Sequence, residues 1–426
     1  MNARKTMTLT GVAVAIVAGS LAQVAIAGID AGGKPGQSKG SVSAFGSIYV
    51  NGIRYNTDNA VFVIDGRLGQ ESDLEIGQVV TVYGTMDAER GTGTAYYVRY
   101  DGLVEGAVDA IDAGGNQLTV LGQTVLVTPE THVSLGGRTL NKLRPGQGVE
   151  VSGFTDASGR IVASYLGASN ATSAADLTGT VTGSDPAAMT LSINGIEVDY
   201  SSAGQFELAS GTPRIGERVA ISGRRDARTG QIIADSVNPT LDGIDAGGGK
   251  GSKGGSEGGQ SAHIEGYVAE LAGKSALTID GVDVRVDKRT QFVNGSRSRL
   301  AQNARIDVRG QVTQGGVLLA ESIEFEPQAN LRRVGRVDAV RGNRIVVNGS
   351  TIRVNAETSY TDHSGLALRR FTSANLYVGD TIEVIGYRAA GQGFVATRLE
   401  RMDGSSQNGN GRRIDRNGID VHVYDD

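Results

Sequence analysis

The chain has 426 residues, of which 63 are glycine, and it contains neither cysteine nor tryptophan. That composition excludes disulfides, thiolate metal sites, cysteine nucleophiles and a lipid anchor on cysteine. A formal net charge of −5 gives the surface no overall attraction for a polyanion, which disfavours nucleic acid as a partner.

The first elements supply an address. Arg4 and Lys5 precede an uncharged, mostly apolar run from Leu9 to Ile26, which closes on Ala25-Ile26-Ala27. A basic start, an apolar stretch and small residues two apart predict a signal peptide over 1–27, cleaved after Ala27. Its core, Gly11 to Ala18, is too short for a bilayer span, which takes about 20 apolar residues. Cleavage removes Arg4 and Lys5 and no acidic residue, taking the net charge from −5 to −7. Export of a cysteine-free chain points to the bacterial periplasm or the cell exterior. No integral membrane segment is expected after cleavage.

Residues 28–38 read as a linker, and then one pattern recurs over 39–102, 103–168, 169–240, 262–327 and 328–403. Each copy opens on a strand with a central glycine: Gly40, Gly106, Gly179, Gly266 or Gly335. A hairpin follows, tipped by Asn51-Gly52, Leu121-Gly122, Asn194-Gly195, Asp280-Gly281 or Asn348-Gly349. All but the Leu-Gly tip are the pairs favoured in type I′ turns, where both central residues need positive φ. Around them the apolar residues alternate at period two, as in Leu277-Thr278-Ile279 and Val282-Asp283-Val284. A closing signature reads Ile76-Gly77-Gln78-Val79-Val80-Thr81-Val82-Tyr83-Gly84 in copy 1 and returns at 145–153, 215–223, 302–310 and 378–386. In copy 4 its turn glycine is replaced by Asn303, the residue type next most tolerant of a left-handed backbone. Short helical candidates precede the fourth strand, around Ser72–Leu74 and Arg297–Ala301.

Strand, hairpin, short helix or turn, then two more strands is the order of a five-stranded Greek-key barrel of the oligonucleotide/oligosaccharide-binding (OB) type. The expected fold is therefore all-β: five tandem small OB-like barrel modules behind a signal peptide. Glycines inside the first and fourth strands would permit the bend that closure needs. A module of this size buries only about 60% of its unfolded surface, so neighbours should stabilise one another. Residues 241–261 are rich in Gly and Ser and read as a flexible linker dividing three copies from two, and 404–426 form a polar tail.

The glycine-centred first strand, the Asn-Gly hairpin and the Val378-Gly379-Asp380-Thr381-Ile382-Glu383-Val384-Ile385-Gly386 type of closing strand together resemble the bacterial domain of unknown function 5666 family. The resemblance covers most of residues 39–403 and implies an exported protein carrying OB-like modules. It implies no activity.

Motifs for chemistry are weak. Gly254-Gly255-Ser256-Glu257-Gly258 matches a nucleophile elbow but lies in the linker, without the strand and helix an elbow needs. Gly273-Lys274-Ser275 lacks the first glycine of a phosphate loop. His132, His263, His363 and His422 fall in separate segments and read as isolated surface residues, not a metal set. Asp415 to Asp420 resembles only part of a calcium loop. No catalytic residue, metal ligand or cofactor is expected.

Two surfaces are binding candidates. Copy 1 holds 8 of the chain's 21 Phe and Tyr residues; on its last strand Tyr96 and Tyr100 would share one face, and Tyr97 and Arg99 the other. Copy 5 is basic, with 11 Lys and Arg against 6 Asp and Glu over 332–401, among them Arg333, Arg336 and Arg344. The resulting expectation is an exported, non-catalytic binding or scaffold protein whose partner is an envelope protein or a polysaccharide. One alternative is an oligosaccharide-binding protein using its barrel faces, with nucleic acid disfavoured. The other is a hydrolase with a site between modules, which would require a cleft lined by convergent titratable groups.

Overall fold

Alternating side chains make strands throughout. The computed structural model describes residues 34–240 and 260–402, apart from 113, 137–139, 171, 207, 209, 210, 227 and 390, together with the backbone of 413–414 and 420–421. The expected signal peptide over 1–27, nearly all of the expected 241–261 linker and most of the calcium-like stretch lie outside the described residues, as does His422. Within them the only helical elements are four single 3₁₀ turns, each just before a fourth strand.

In copy 1 the first strand (Lys34–Ala44) pairs antiparallel with the second (Ile48–Val50) and the fourth (Val79–Asp87). The hairpin leads to the third strand (Ile53–Asn56), which runs parallel to the fifth (Thr92–Tyr100). The fifth returns antiparallel to the fourth, so the circuit 1-2-3-5-4-1 closes on itself. The same pairings recur in copies 2 and 3. Copies 4 and 5 repeat them again. The protein is thus an all-β tandem repeat built on a small closed five-stranded barrel.

The turns behave as their residues require. Both residues of every hairpin tip have positive φ, including Leu121 at 48°, and Asn303 takes 63° where the other copies place glycine. The interior glycines do more than permit a bend. Every copy has a bulge between strands four and five at the last glycine of the closing signature. A Cβ on Gly84 would overlap the carbonyl oxygen of Thr94, and one on Gly386 that of Val395. Glycine there lets the opposing backbone come in where the extra residue is accommodated.

A second bulge, in each first strand, explains how the copies join. The second strand pairs only from the residue just before the bulge onward, leaving the N-terminal half of the first strand with one open edge. Copies 1 and 4 pair these edges in parallel, from Gly36 with Ser261 to Lys39 with Ile264. Copies 2 and 3 pair theirs antiparallel, Val104 with Leu177 and Glu105 with Asp176, and share one apolar core. The sequence suggested three copies and then two, divided at the linker. Edge pairing instead binds copy 1 to copy 4 across that break, because an open strand edge seeks backbone partners wherever they lie in the chain. Copy 5 also leans on copy 1: Ala44 joins its core and the Arg369 guanidinium lies 4.0 Å from the Phe45 ring centroid.

Candidate functional site

Packing four barrels together leaves a chamber of about 110 Å³ walled by copies 1, 2, 4 and 5. Its charged groups come from strand ends and strand starts. Glu130 and His132 lie where the third strand of copy 2 runs past Val127 to pair with the fifth a second time. The Thr131 hydroxyl holds that crossing by donating to the Ala163 carbonyl at 2.6 Å. Glu265 and Tyr267 flank the first-strand glycine of copy 4, and Arg305 starts its fourth strand.

One wall is a hub of charge-assisted bonds. Arg305 pairs with Glu265 of its own copy, and its Nη1 donates to Glu130 Oε2 of copy 2 at 3.0 Å. The other oxygen of Glu265 accepts from the Ser41 amide and hydroxyl of copy 1, both at 3.2 Å. Such pairs are strong when buried and fully bonded. The opposite wall joins copies 2 and 5. His132 Nε2 lies 2.8 Å from the Ser359 hydroxyl and Nδ1 lies 3.2 Å from that of Thr361. Arg398 donates to the Thr131 carbonyl and lies 3.4 Å from Glu400.

Titration follows from these surroundings. Burial first, then the Arg398 charge, pulls the His132 imidazole down to about 3, so it is neutral at ordinary pH. Burial works upward on Glu400, but the His363 hydrogen bond and the Arg398 and His132 charges outweigh it and hold it at about 2. Glu326 and Glu357 are different. Among the described residues neither takes part in an ion pair. Desolvation by the packed barrels is the main cause that raises both. Half-buried Glu326 goes well above the carboxylate range against the pull of Arg305, and Glu357, which keeps an exposed face, goes to about 7, helped by Glu324, Asp307 and Glu265. The chamber is therefore acidic on one side, with Asn355, Ser359 and Tyr387 also on its lining.

His132 and Ser359 have the spacing of a base and a nucleophile. The base is far too weak for neutral pH, however, and its second nitrogen meets a hydroxyl where a triad places a carboxylate. The contact serves to join two barrels. Among the described residues no three His, Asp or Glu converge to hold a metal ion.

None of the seven binding candidates from the sequence lines this chamber. Tyr100 is fully buried in the copy 1 core and its hydroxyl donates to Glu150. The expected face of Tyr96 and Tyr100 fails because Tyr96 is the bulge residue, opposite the step between Tyr83 and Gly84, so period two breaks there. The Tyr96 hydroxyl is buried without a hydrogen bond, and the Tyr97 ring tilts against Tyr83 at 5.8 Å. Arg99 is paired with Asp101 and lines a smaller cavity between copies, with Lys39, Arg218 and Asp280. In copy 5, Arg336 and Arg344 are exposed and Arg333 is half-buried. The histidines were expected on the surface, but His132 and His263 are buried. Comparing the copies gives the missed signal: the residue before each first-strand glycine is Lys39, Glu105, Thr178, Glu265 or Val334. Charges there, on a strand that otherwise looks like barrel core, mark seams.

No curated protein matches the chain. Among solved structures, one titled "drosophila Unr CSD456" is 15% identical over 53% of this chain and 96% of its own, with a TM-score of 0.12, too low to bear on the fold. A family model, "Domain of unknown function (DUF5666)", matches five times, at residues 39–99, 105–166, 178–238, 265–324 and 334–400. Each match falls on one closed strand circuit, and together they span most of the chain: the protein belongs to the DUF5666 family.

Proposed function

We propose that this chain is an exported, non-catalytic binding protein of the bacterial envelope or exterior, and that its ligand sits in the chamber among copies 1, 2, 4 and 5. The observation that carries the reading is the acidic wall: Glu326 and Glu357 line a cavity of about 110 Å³, and among the described residues neither takes part in an ion pair. Carboxyls with raised proton affinity act as donors as well as acceptors, which suits a neutral, hydroxyl-rich ligand such as the end of an oligosaccharide. The barrel faces are less available, since the tips at Leu121, Asp280 and Asn51 meet other copies. Export rests on the leader at 1–27; among the described residues no helix is long and apolar enough to cross a membrane.

The test uses the mature chain from residue 28 and a panel of bacterial oligosaccharides, read by calorimetry. At least one sugar should bind, and Glu326→Gln with Glu357→Gln should weaken it about tenfold, roughly 1.4 kcal/mol. Silence across the panel, or turnover of a substrate by the wild-type chain, would end the reading.

A further inference from the structure

Five copies offer five open first-strand edges, and the chain pairs them two by two: copy 1 with copy 4 and copy 2 with copy 3. An odd number leaves one over. In copy 5 the first strand, Leu331–Arg341, pairs with the fourth from Leu331 to Arg336 and meets the second only from Val337 onward. Among the described residues nothing pairs with the other edge of its first half.

Charged side chains on an edge are the usual guard against unwanted pairing, so arginines there prove little alone. Two further features set this edge apart. The residue before the first-strand glycine is covered at three of the four occupied edges, with Lys39 at 5%, Thr178 at 9% and Glu265 at 7% exposure, and half-buried at the fourth, Glu105. Its counterpart in copy 5 is Val334, an apolar side chain 44% exposed. The hairpin tip is the second feature. In copy 1 the Asn51 amide bridges two strands, donating to the Lys39 carbonyl of its own copy at 2.9 Å and the His263 carbonyl of the added strand at 3.2 Å. Asn348 holds the same place in copy 5. Its amide reaches the Val334 carbonyl at 3.4 Å, and among the described residues no second carbonyl takes its other hydrogen.

We propose that the edge Leu331–Gly335 of copy 5 receives an extended acidic segment of another protein as an added strand. Arg332, Val334 and Arg336 alternate on the exposed side of the strand. Arg332 pairs with Glu383 of the fourth strand at 2.7 Å while keeping its exposed face, and Arg336 takes part in no ion pair among the described residues. An incoming strand is therefore best matched with acidic residues opposite the two arginines and an apolar one opposite Val334. A second copy of this chain fits poorly. The antiparallel register of copies 2 and 3 sets Val104 against Leu177, each two residues before its glycine. The same register between two copies of module 5 would set Arg333 directly against Arg333, and like charges so placed are destabilising.

The probe is an acetylated octapeptide with two glutamates flanking a valine at alternate positions in a threonine background, titrated into the full mature chain and followed by fluorescence anisotropy. It should bind at least about tenfold more tightly than the same peptide with alternate amides N-methylated, because methylation keeps the charge and removes the strand hydrogen bonds. Val334→Pro removes an edge donor where proline is tolerated, and should abolish binding without lowering the thermal midpoint much. Asn348→Gly keeps the turn and removes the bridging amide, so it should weaken binding even if the proline variant folds badly. Equal binding of the methylated peptide would show charge attraction only and overturn the proposal. Absence of binding would do the same, as would self-association of the chain that Val334→Pro abolishes.

Discussion

Copy 1 meets copies 4 and 2 through two seams of opposite electrostatic character. Toward copy 4 the strands pair edge to edge and Lys39 meets Asp280, the side chains 7% and 5% exposed, with Arg218 of copy 3 at 3.8 Å from the same carboxylate. Toward copy 2 the acids gather. Glu150 accepts from the Tyr100 hydroxyl and from the Gln78 amide at 3.1 Å, and Asp65 feels Glu150, Asp101 and Glu105. The first seam is balanced by opposite charges and depends on each partner staying in place. The second is crowded with one sign and depends on protons.

The largest effect should come from breaking the balanced seam. Asp280→Asn keeps a residue tolerant of the φ of 46° at that hairpin tip but removes the charge facing Lys39 and Arg218. Removing one charge from a buried ion-pair network costs about 0.5–3 kcal/mol. The urea midpoint should fall accordingly, and Lys39→Met added to Asp280→Asn should recover much of the loss. A midpoint unchanged by Asp280→Asn would mean that backbone pairing alone holds copies 1 and 4 together.

The crowded seam should respond to pH with a definite sign. Desolvation by the packed seam, and then its acidic neighbours, push Asp65 up to about 7 although it keeps an exposed face at its turn; burial and the nearby Glu105 also raise Glu150. The folded chain binds these protons more tightly than the unfolded chain, which releases them near pH 4. Their stabilisation is complete below that pH and is lost as pH rises through about 7. Glu357, at the chamber, acts in the same direction. His132 opposes them on the acid side: with its imidazole pulled down to about 3, stability falls as pH drops from about 6.5 toward 3. The thermal midpoint should therefore be higher at pH 6 than at pH 8, and Asp65→Asn should flatten that difference. An unchanged slope in the Asp65→Asn variant would remove this seam as its origin.

The two seams also mark how far the sequence could be read. Strands, type I′ tips, the Asn303 substitution and the repeat count were legible because each depends on local backbone needs or on period two. The bulge at Tyr96 was not, since one extra residue leaves the alternation on both sides intact while shifting its phase. Tyr96 therefore looked like a member of the same face as Tyr100, when Tyr100 belongs with Val98 in the core and Tyr96 lies off that face. The chamber was hidden for a different reason. Glu130, Glu265 and Arg305 are separated by up to 175 residues in the chain, and only the pairing of edges across the linker brings them together. No spacing rule reaches that far. The basic character of copy 5 was legible, but its open edge became visible only once the other four edges were seen to be occupied.

A third seam, between copies 2 and 4, sharpens the comparison because it carries almost no charge beyond Arg305 and Glu130. There Asn303 does two things: its backbone takes the left-handed turn at φ 63°, and its Oδ1 accepts the Ala157 amide of copy 2 at 2.8 Å. Asn303→Gly separates the two roles. Glycine adopts that φ without strain, which favours the variant, but it also frees the unfolded chain, which costs about 0.4–1 kcal/mol. Losing the hydrogen bond removes about 0.5–1.5 kcal/mol, less here because the site is exposed and water replaces the acceptor. The two costs exceed the relief of strain by about 1 kcal/mol or less, so the urea midpoint should fall only slightly, less than for Asp280→Asn. Hydrogen exchange is the more telling measurement: the Ala157 amide should exchange faster in the variant while the barrel strands of copies 2 and 4 keep their protection. Unchanged exchange at Ala157 would reduce Asn303 to a turn residue and leave this seam to Arg305 and Glu130.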